Sequence, residues 1–130
     1  DDAFFGKLSG EYWHIYKTDN DSGSAYSVSH NYIARRLYDR LPEDAEQTIK
    51  LARLVSDYGR DMAAIWKEKV TVNLSDEEQS ERLGCALYSP VACITRICTD
   101  RDGNILYLGN LCYLGSRYET RRDITHLLTS

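Results

Sequence analysis

The spacing of apolar residues predicts that the middle of this chain is helical. Across residues 24–41 the apolar positions recur at intervals that place them on one side of a helix. Pro42 should end this helix, and a second apolar stripe follows it as far as Val70. Gly59 is the one helix-breaking residue of the second stretch, so this stretch predicts either one long helix or two shorter ones.

A further short helix is predicted directly after these stretches. Ser75 and Glu78 have the spacing of a capping box, in which each side chain accepts a hydrogen bond from the backbone of the other residue. Gly84 follows, and glycine is the residue that most often adopts the left-handed conformation at the end of a helix. We therefore expect residues 76–83 to be helical.

From Val91 onward the pattern is typical of β-strands. Two runs rich in β-branched and aromatic residues flank Asp102-Gly103, which predicts a hairpin with a two-residue type I′ turn. Counting outward from this turn, Cys93 faces Cys112 and Cys98 faces Tyr107. A bulge at Gly109 would shift this register by one residue.

The pattern as a whole predicts one α+β domain over residues 1–130. A helical bundle of about residues 24–83 would pack on a disulfide-stapled C-terminal β-hairpin with a short terminal helix. The predicted parts are an extended arm and loop (1–23), a helical part (24–84), a Cys-rich hairpin (85–116) and a C-terminal helix (117–130).

Size and charge narrow the classes of function. A chain of 130 residues, 42% of them hydrophobic, has the size and composition of one folded domain. Its net charge of -4 and the lack of a basic stripe argue against a nucleic-acid partner. The longest apolar runs fall well short of the roughly 20 residues that cross a bilayer, so we expect no membrane span.

The cysteines favour a secreted protein with two disulfides. Four cysteines lie close together in the last third of the chain, as in extracellular disulfide frameworks, at Cys85, Cys93, Cys98 and Cys112. The hairpin register pairs Cys93 with Cys112 and leaves Cys85 for Cys98, although other connectivities stay open. The cysteine spacing does not fit a zinc site, and His14, His30 and His126 lie far apart in the sequence.

Two weaker signals also favour secretion. The sequence begins at Asp1 without a methionine, which fits a processed protein whose signal peptide has been removed, or a trimmed chain. Asn20 and Asn73 begin acceptor sequons for N-glycosylation. The chain is therefore predicted to be a secreted glycoprotein.

Part of the Cys-rich segment resembles a Kazal-type serine protease inhibitor. The resemblance covers residues 85–114 and rests on residues 85–93 with their Pro-Val, on Asp102-Gly103 and Tyr107, and on Asn110-Leu111-Cys112-Tyr113-Leu114. It implies that Leu87 and Tyr88 lie in a reactive loop, with Leu87 entering the primary pocket of a chymotrypsin- or elastase-like protease. It also implies a bond from Cys85 to Cys112, so the disulfide map distinguishes it from the pairing that the hairpin register favours.

The residues predict no enzyme. No catalytic, cofactor-binding or metal-binding motif is present, and no cofactor is expected. We therefore predict a secreted, disulfide-stabilised protein that acts by binding a protein partner. The alternatives are a Kazal-like inhibitor and a small secreted helical ligand or extracytoplasmic immunity-type protein. The ten tyrosines, a residue type enriched at interfaces, also suggest a homo-oligomer.

Overall fold

A five-stranded antiparallel sheet forms the centre of the computed structural model, which describes residues 5–129. The spatial order of the strands is β1-β2-β5-β4-β3, so the last strand of the chain is the central one. Their bounds are β1 Tyr12–Asp21, β2 Ser24–Ala34, β3 Ile65–Leu74, β4 Pro90–Thr99 and β5 Ile105–Leu114.

Short helices occupy the connections between the strands. The α-helices are α1 Arg35–Tyr38, α2 Leu51–Tyr58 and α3 Glu77–Leu83, and the 3₁₀ turns are Ala45–Gln47, Gly115–Arg117 and Thr125–Thr129. In α2, Leu51, Leu54 and Val55 are buried, and their spacing places them on the side of the helix that packs against the sheet. None of the helices in residues 5–129 has the length and apolar character required to cross a membrane.

The predicted helical bundle over residues 24–83 is wrong. Residues 24–34 form β2 and residues 65–74 form β3, while α-helix within residues 24–83 is confined to the short segments α1, α2 and α3. The error has a physical cause, because β2 has buried residues on both of its sides, including Val28 and Ile33. A strand buried on both faces loses the strict alternation of apolar and polar residues, so a helical spacing can match it by coincidence.

The strand register defines two faces of the sheet. The α2 face carries Lys17 of β1 in line with Ser29 of β2 and Leu111 of β5, and α2 packs over part of it. The α3 face carries Val28 of β2 in line with Cys112 of β5, and Leu83 of α3 packs against both. Each face therefore has its own core cluster, covered by its own helix.

The predicted register of the C-terminal hairpin is confirmed. Cys93 faces Cys112 and Cys98 faces Tyr107 across β4 and β5. The two-residue turn is wrong, because residues 100–104 form a wider loop and the register shifts after Cys98. Asp100 explains the wider loop, since its carboxylate accepts hydrogen bonds from the backbone N–H groups of Asp102 and Asn104, both at 2.9 Å.

The helix predicted over residues 76–83 is confirmed as α3, but its cap lies one residue later than expected. Asp76 is the N-cap, and its carboxylate accepts a 2.8 Å hydrogen bond from the backbone N–H of Gln79. Gln79 Oε1 in turn accepts a 3.0 Å hydrogen bond from the backbone N–H of Asp76. Gly84 ends the helix with a left-handed φ of 67°, as predicted.

Two terminal predictions have different outcomes. The arm of residues 1–23 does contain a strand, β1, whereas the C-terminal helix is reduced to two 3₁₀ turns. Asp1, where a processed N-terminus was predicted, and the final residue Ser130 lie outside the described residues. The division of residues 1–130 into a single domain stays a prediction.

Candidate functional site

A pocket of about 200 Å³ lies on the α2 face, beneath the first turn of α2. Strands β1, β2, β5 and β4 form its floor, and residues 50–52 form its roof. The lining residues are Lys17, Asp19, Ser29, Asn31, Lys50, Leu51, Ala52, Arg96, Tyr107, Leu111 and Tyr113. Distant segments of the chain meet here because the antiparallel register aligns the same side of neighbouring strands.

The floor contains a buried polar network centred on Asn31, which is 3% exposed. Tyr107 Oη donates a 2.7 Å hydrogen bond to Asn31 Oδ1. Asn31 Nδ2 donates to Ser29 Oγ at 2.9 Å and to the carbonyl oxygen of Ile15 at 3.3 Å. Burial raises the pKa of Tyr107 to about 12, so its hydroxyl stays protonated as a donor at neutral pH. The network fixes the floor, since each buried polar group has a partner.

Gly109 is required for this network to fit. A Cβ atom at this position would lie 2.3 Å from Tyr107 Oη and 3.2 Å from Asn31 Oδ1. Any other residue would therefore displace the tyrosine from its hydrogen bond. The glycine is a packing requirement of the floor.

Cationic side chains outnumber carboxylates in the pocket lining. Lys17, Lys50 and Arg96 face one acid, Asp19, whose Oδ2 accepts a 2.8 Å hydrogen bond from Ser27 Oγ. Arg96 Nε donates a 2.7 Å hydrogen bond to Glu68 Oε2 on β3. Burial is the largest single influence on Arg96 and opposes its charge, but the hydrogen bond to Glu68 and the attraction of Glu68, Tyr107 and Tyr113 together outweigh it and raise the pKa of the guanidinium. Arg96 is thus a permanent cation at the pocket.

The roof is tied to the floor by Lys17. Its ammonium group donates hydrogen bonds to the carbonyl oxygens of Glu46, at 2.8 Å, and Ile49, at 3.4 Å. Both carbonyls belong to the segment that leads into α2. Lys50 is the N-cap of α2, and the first turn has no side-chain cap. The N–H groups of an uncapped first turn carry partial positive charge, which adds to the cationic character of this end of the pocket.

The four predicted disulfide cysteines are free thiols, so the disulfide prediction is wrong. Cys85, Cys93 and Cys112 share the core cluster of the α3 face, whereas Cys98 lies in the cluster of the α2 face. Burial raises the pKa of Cys112 to about 12 and that of Cys98 to about 11, which makes both thiols unreactive at neutral pH. Cys85 and Cys98 lie in different cores, so the second predicted pair is not brought together.

The other predicted site residues lie outside the pocket. Leu87 and Tyr88, the predicted reactive loop, lie in the turn between α3 and β4, and Tyr88 has a φ of 67°. Asn20 lies on β1 and Asn73 on β3, where its Nδ2 donates to Thr71 Oγ1 at 2.9 Å. Within residues 5–129 no three His, Cys, Asp or Glu side chains converge on a position that could hold a metal ion.

Several solved structures share the fold of this chain. The effector binding domain of the trehalose repressor of Bacillus subtilis matches with a TM-score of 0.73 and 9% identity, over 86% of this chain and 77% of that chain. The C-terminal domain of the histidine utilization repressor of Pseudomonas syringae matches with 0.72 and 16%, over 87% and 78%. A GntR-family transcriptional regulator of Enterococcus faecalis matches with 0.69 and 12%, over 86% and 80%. The fold is thus one found in domains of transcriptional regulators.

A family model identifies the domain. The model of the UTRA domain matches residues 9–119, which is most of the chain. The chain therefore belongs to the UTRA domain family. No curated protein matches the chain.

Family membership overturns the predicted identity. The resemblance to a Kazal-type inhibitor is wrong, because the UTRA model covers the whole segment on which that resemblance rested. The prediction of a secreted glycoprotein is wrong as well, since the structures that share this fold come from transcriptional regulators. The predicted protein partner and the predicted separation from nucleic acid are wrong as well, as are the helical-ligand and immunity-type alternatives, whereas the homo-oligomer stays a prediction.

Sequence reasoning missed the pocket residues because they are scattered over four strands and one helix. One pattern in the sequence could have indicated part of the pocket. In β2 the polar Ser27, Ser29 and Asn31 alternate with Val28 and His30, a period of two that places small polar groups on one side of a strand. The helical interpretation of residues 24–41 concealed this period.

Proposed function

We propose that this chain is the effector-binding domain of a transcriptional regulator, and that its effector is a small anion held in the pocket beneath α2. The observation that carries the proposal is the pocket lining, in which Lys17, Lys50 and Arg96 surround a polar floor with Asp19 as the one acid. The chain acts by binding and not by catalysis, and in the whole regulator a separate domain contacts DNA. The effector binding domain of the trehalose repressor, which shares the fold, supports this role.

Arg96 is the best placed group to bind the anion. Its hydrogen bond to Glu68 uses Nε, and a guanidinium carries five N–H donors in a planar fork. Carboxylate and phosphate groups both match this fork through two parallel hydrogen bonds. Lys50 lies across the pocket at the start of α2, so an anion between Arg96 and Lys50 would join the floor to the roof.

The apolar part of the lining restricts the rest of the effector. Leu51 and Ala52 of α2 and Leu111 of β5 offer apolar contacts beside the charged groups. A cavity of about 200 Å³ holds a small metabolite and not a long chain. The effector is therefore expected to combine one carboxylate or phosphate with a compact body.

A thermal-shift screen tests the proposal. The protein is heated with small carboxylates, small phosphates and neutral compounds of matched size. We expect one or more anions to raise the melting temperature, and Arg96→Gln to weaken their binding at least about tenfold, equivalent to about 1.4 kcal/mol. Arg53→Gln is the matched control, because Arg53 lies on α2 with a side chain 77% exposed and outside the pocket lining.

The outcomes separate the two parts of the proposal. Stabilisation by neutral compounds alone, lost when Leu111 is replaced by lysine, would leave an effector domain but contradict an anionic effector. Equal loss of binding in Arg53→Gln and Arg96→Gln would contradict the pocket as the site.

A further inference from the structure

A chain of three titratable side chains joins α3 to the sheet on the face opposite the pocket. His14 Nε2 lies 2.9 Å from His30 Nδ1, and His30 Nε2 lies 2.9 Å from Glu78 Oε1. The three residues belong to β1, β2 and α3. The side chain of His30 is 35% exposed and that of Glu78 is 56% exposed, so both side chains can exchange protons with solvent.

The surroundings of the two imidazoles add one cation and two phenols. The ring of His14 stacks on Tyr32 with centroids 4.8 Å apart, and the rings of Tyr16 and His30 meet edge to face with centroids 4.9 Å apart. Arg82 of α3 lies 5.1 Å above the Tyr16 ring. The charged groups that reach this site from α3 are thus Glu78, which attracts a proton, and Arg82, which is separated from His30 by the tyrosine.

The hydrogen bonds among His14, His30 and Glu78 depend on how many protons the two imidazoles carry. With both imidazoles neutral, His14 Nε2–H donates to His30 Nδ1, and His30 Nε2–H donates to the Glu78 carboxylate. With one added proton, His30 is an imidazolium that donates to both neighbours, and its ion pair with Glu78 strengthens the link to α3. With a second added proton, both nitrogens that face each other across 2.9 Å carry hydrogen, so the hydrogen bond is lost and like charges meet.

We propose that His14, His30 and Glu78 form a proton-operated latch that holds α3 on the sheet most firmly when the two imidazoles share one added proton. Histidine gains its charge between about pH 8 and pH 5, so the latch tightens and then loosens within this range as the pH falls. Its effect reaches the core of the α3 face, because Leu83 of α3 covers Val28, Val91 and Cys112. Loosening of α3 would open this core while the pocket on the other face stays intact.

The latch is tested by hydrogen exchange of the α3 amides in the full chain between about pH 5 and pH 8, with imidazole signals followed by NMR. We expect the protection of α3, corrected for the intrinsic exchange rate, to pass through a maximum and to fall at least about threefold toward pH 5.

Three variants make the result decisive. His14→Gln removes the second charge, so the fall in protection toward pH 5 should disappear. Glu78→Gln removes the anion and should lower the maximum, whereas Glu77→Gln, which removes a carboxylate from the same turn of α3, should leave the maximum in place. A flat pH profile in the native protein, or equal profiles for Glu78→Gln and Glu77→Gln, would overturn the latch.

Discussion

The two faces of the sheet differ in the kind of side chains that they bury. The α2 face buries polar groups, Asn31 and Tyr107, and gives each of them a hydrogen-bond partner. The α3 face buries Val28, Val91 and the thiol of Cys112 beneath Leu83. The polar floor and partly open cavity of the α2 face are suited to binding a ligand, whereas the apolar cluster beneath Leu83 stabilises the fold.

The helices reflect the same difference. The N-terminal end of α2, at Lys50, faces the pocket without a side-chain cap, whereas α3 begins with a complete capping box between Asp76 and Gln79. A cap stabilises a helix terminus by about 1 kcal/mol. The protein thus forgoes a local stabilisation where the first turn of α2 borders the pocket, a position where an anion can take the place of the cap.

The largest expected effect on stability comes from adding a side-chain atom to the floor of the pocket on the α2 face. Gly109→Ala should lower the free energy of unfolding by about 4 kcal/mol, because its Cβ would lie 2.3 Å from Tyr107 Oη and would break the buried hydrogen bond. Urea denaturation measures the loss. Gly10→Ala is the control, since a Cβ there meets nothing within 4 Å and costs only the strain of a φ near +80°. Equal losses for both variants would show that the floor tolerates displacement of the tyrosine.

On the α3 face the corresponding change is Leu83→Ala. Leu83 is 5% exposed, so truncating it leaves a cavity and should lower the free energy of unfolding by about 3 kcal/mol. Anion binding in the pocket should persist in the folded variant, because Leu83 does not line it. Leu87→Ala, at a side chain 45% exposed, should cost less than about 0.5 kcal/mol. Loss of anion binding in folded Leu83→Ala would contradict the independence of the two faces.

Alkaline pH should destabilise the protein through Cys98, the buried thiol of the α2 face. Burial raises the pKa of Cys98 from 9.0 to about 11 in the folded protein. The folded state therefore binds this proton more tightly than the unfolded state, and the stability it contributes is complete below pH 9.0 and lost as the pH rises through about 11.

The expected loss from Cys98 is about 3 kcal/mol, measured by urea denaturation at a series of pH values. Cys98→Ala should be less stable at neutral pH but should lose less stability above pH 9.0 than the native protein. Parallel curves for the two proteins would mean that the thiol ionises as freely in the folded state as in the unfolded one.

The smallest effect on stability is expected from Tyr107→Phe. The change removes the donor to Asn31 Oδ1 but keeps the ring, so the free energy of unfolding should fall by about 1 kcal/mol. The variant should lose more anion affinity than this value implies, because without the hydroxyl of Tyr107 the side chain of Asn31 can reorient in the floor of the pocket. Isothermal titration with the anion found in the screen measures it, and unchanged affinity would show that the network serves stability alone.

How far the sequence predicted the fold depended on how local each interaction is. The register of β4 and β5 followed from a turn and two flanking runs, and α3 followed from its capping residues and Gly84. Strand β2 could not be recognised in this way, since its pattern is set by partners on both sides, β1 and β5, and by burial on both faces.

The candidate site was less predictable than the fold. Its cations, Lys17, Lys50 and Arg96, come from β1, the start of α2 and β4, and nothing in their sequence spacing brings them together. The disulfide prediction was wrong for a related reason. Cys93 and Cys112 do face each other as predicted, but this register is also compatible with two reduced thiols in an apolar core.

The most direct test of the central claim is a crystal structure of the protein with the anion that stabilises it most in the thermal-shift screen. We expect electron density beneath the first turn of α2, with the carboxylate or phosphate within hydrogen-bonding distance of the Arg96 guanidinium and the ammonium group of Lys50. Density for the anion on the α3 face, or a pocket beneath α2 that stays empty while the anion is bound elsewhere, would contradict it.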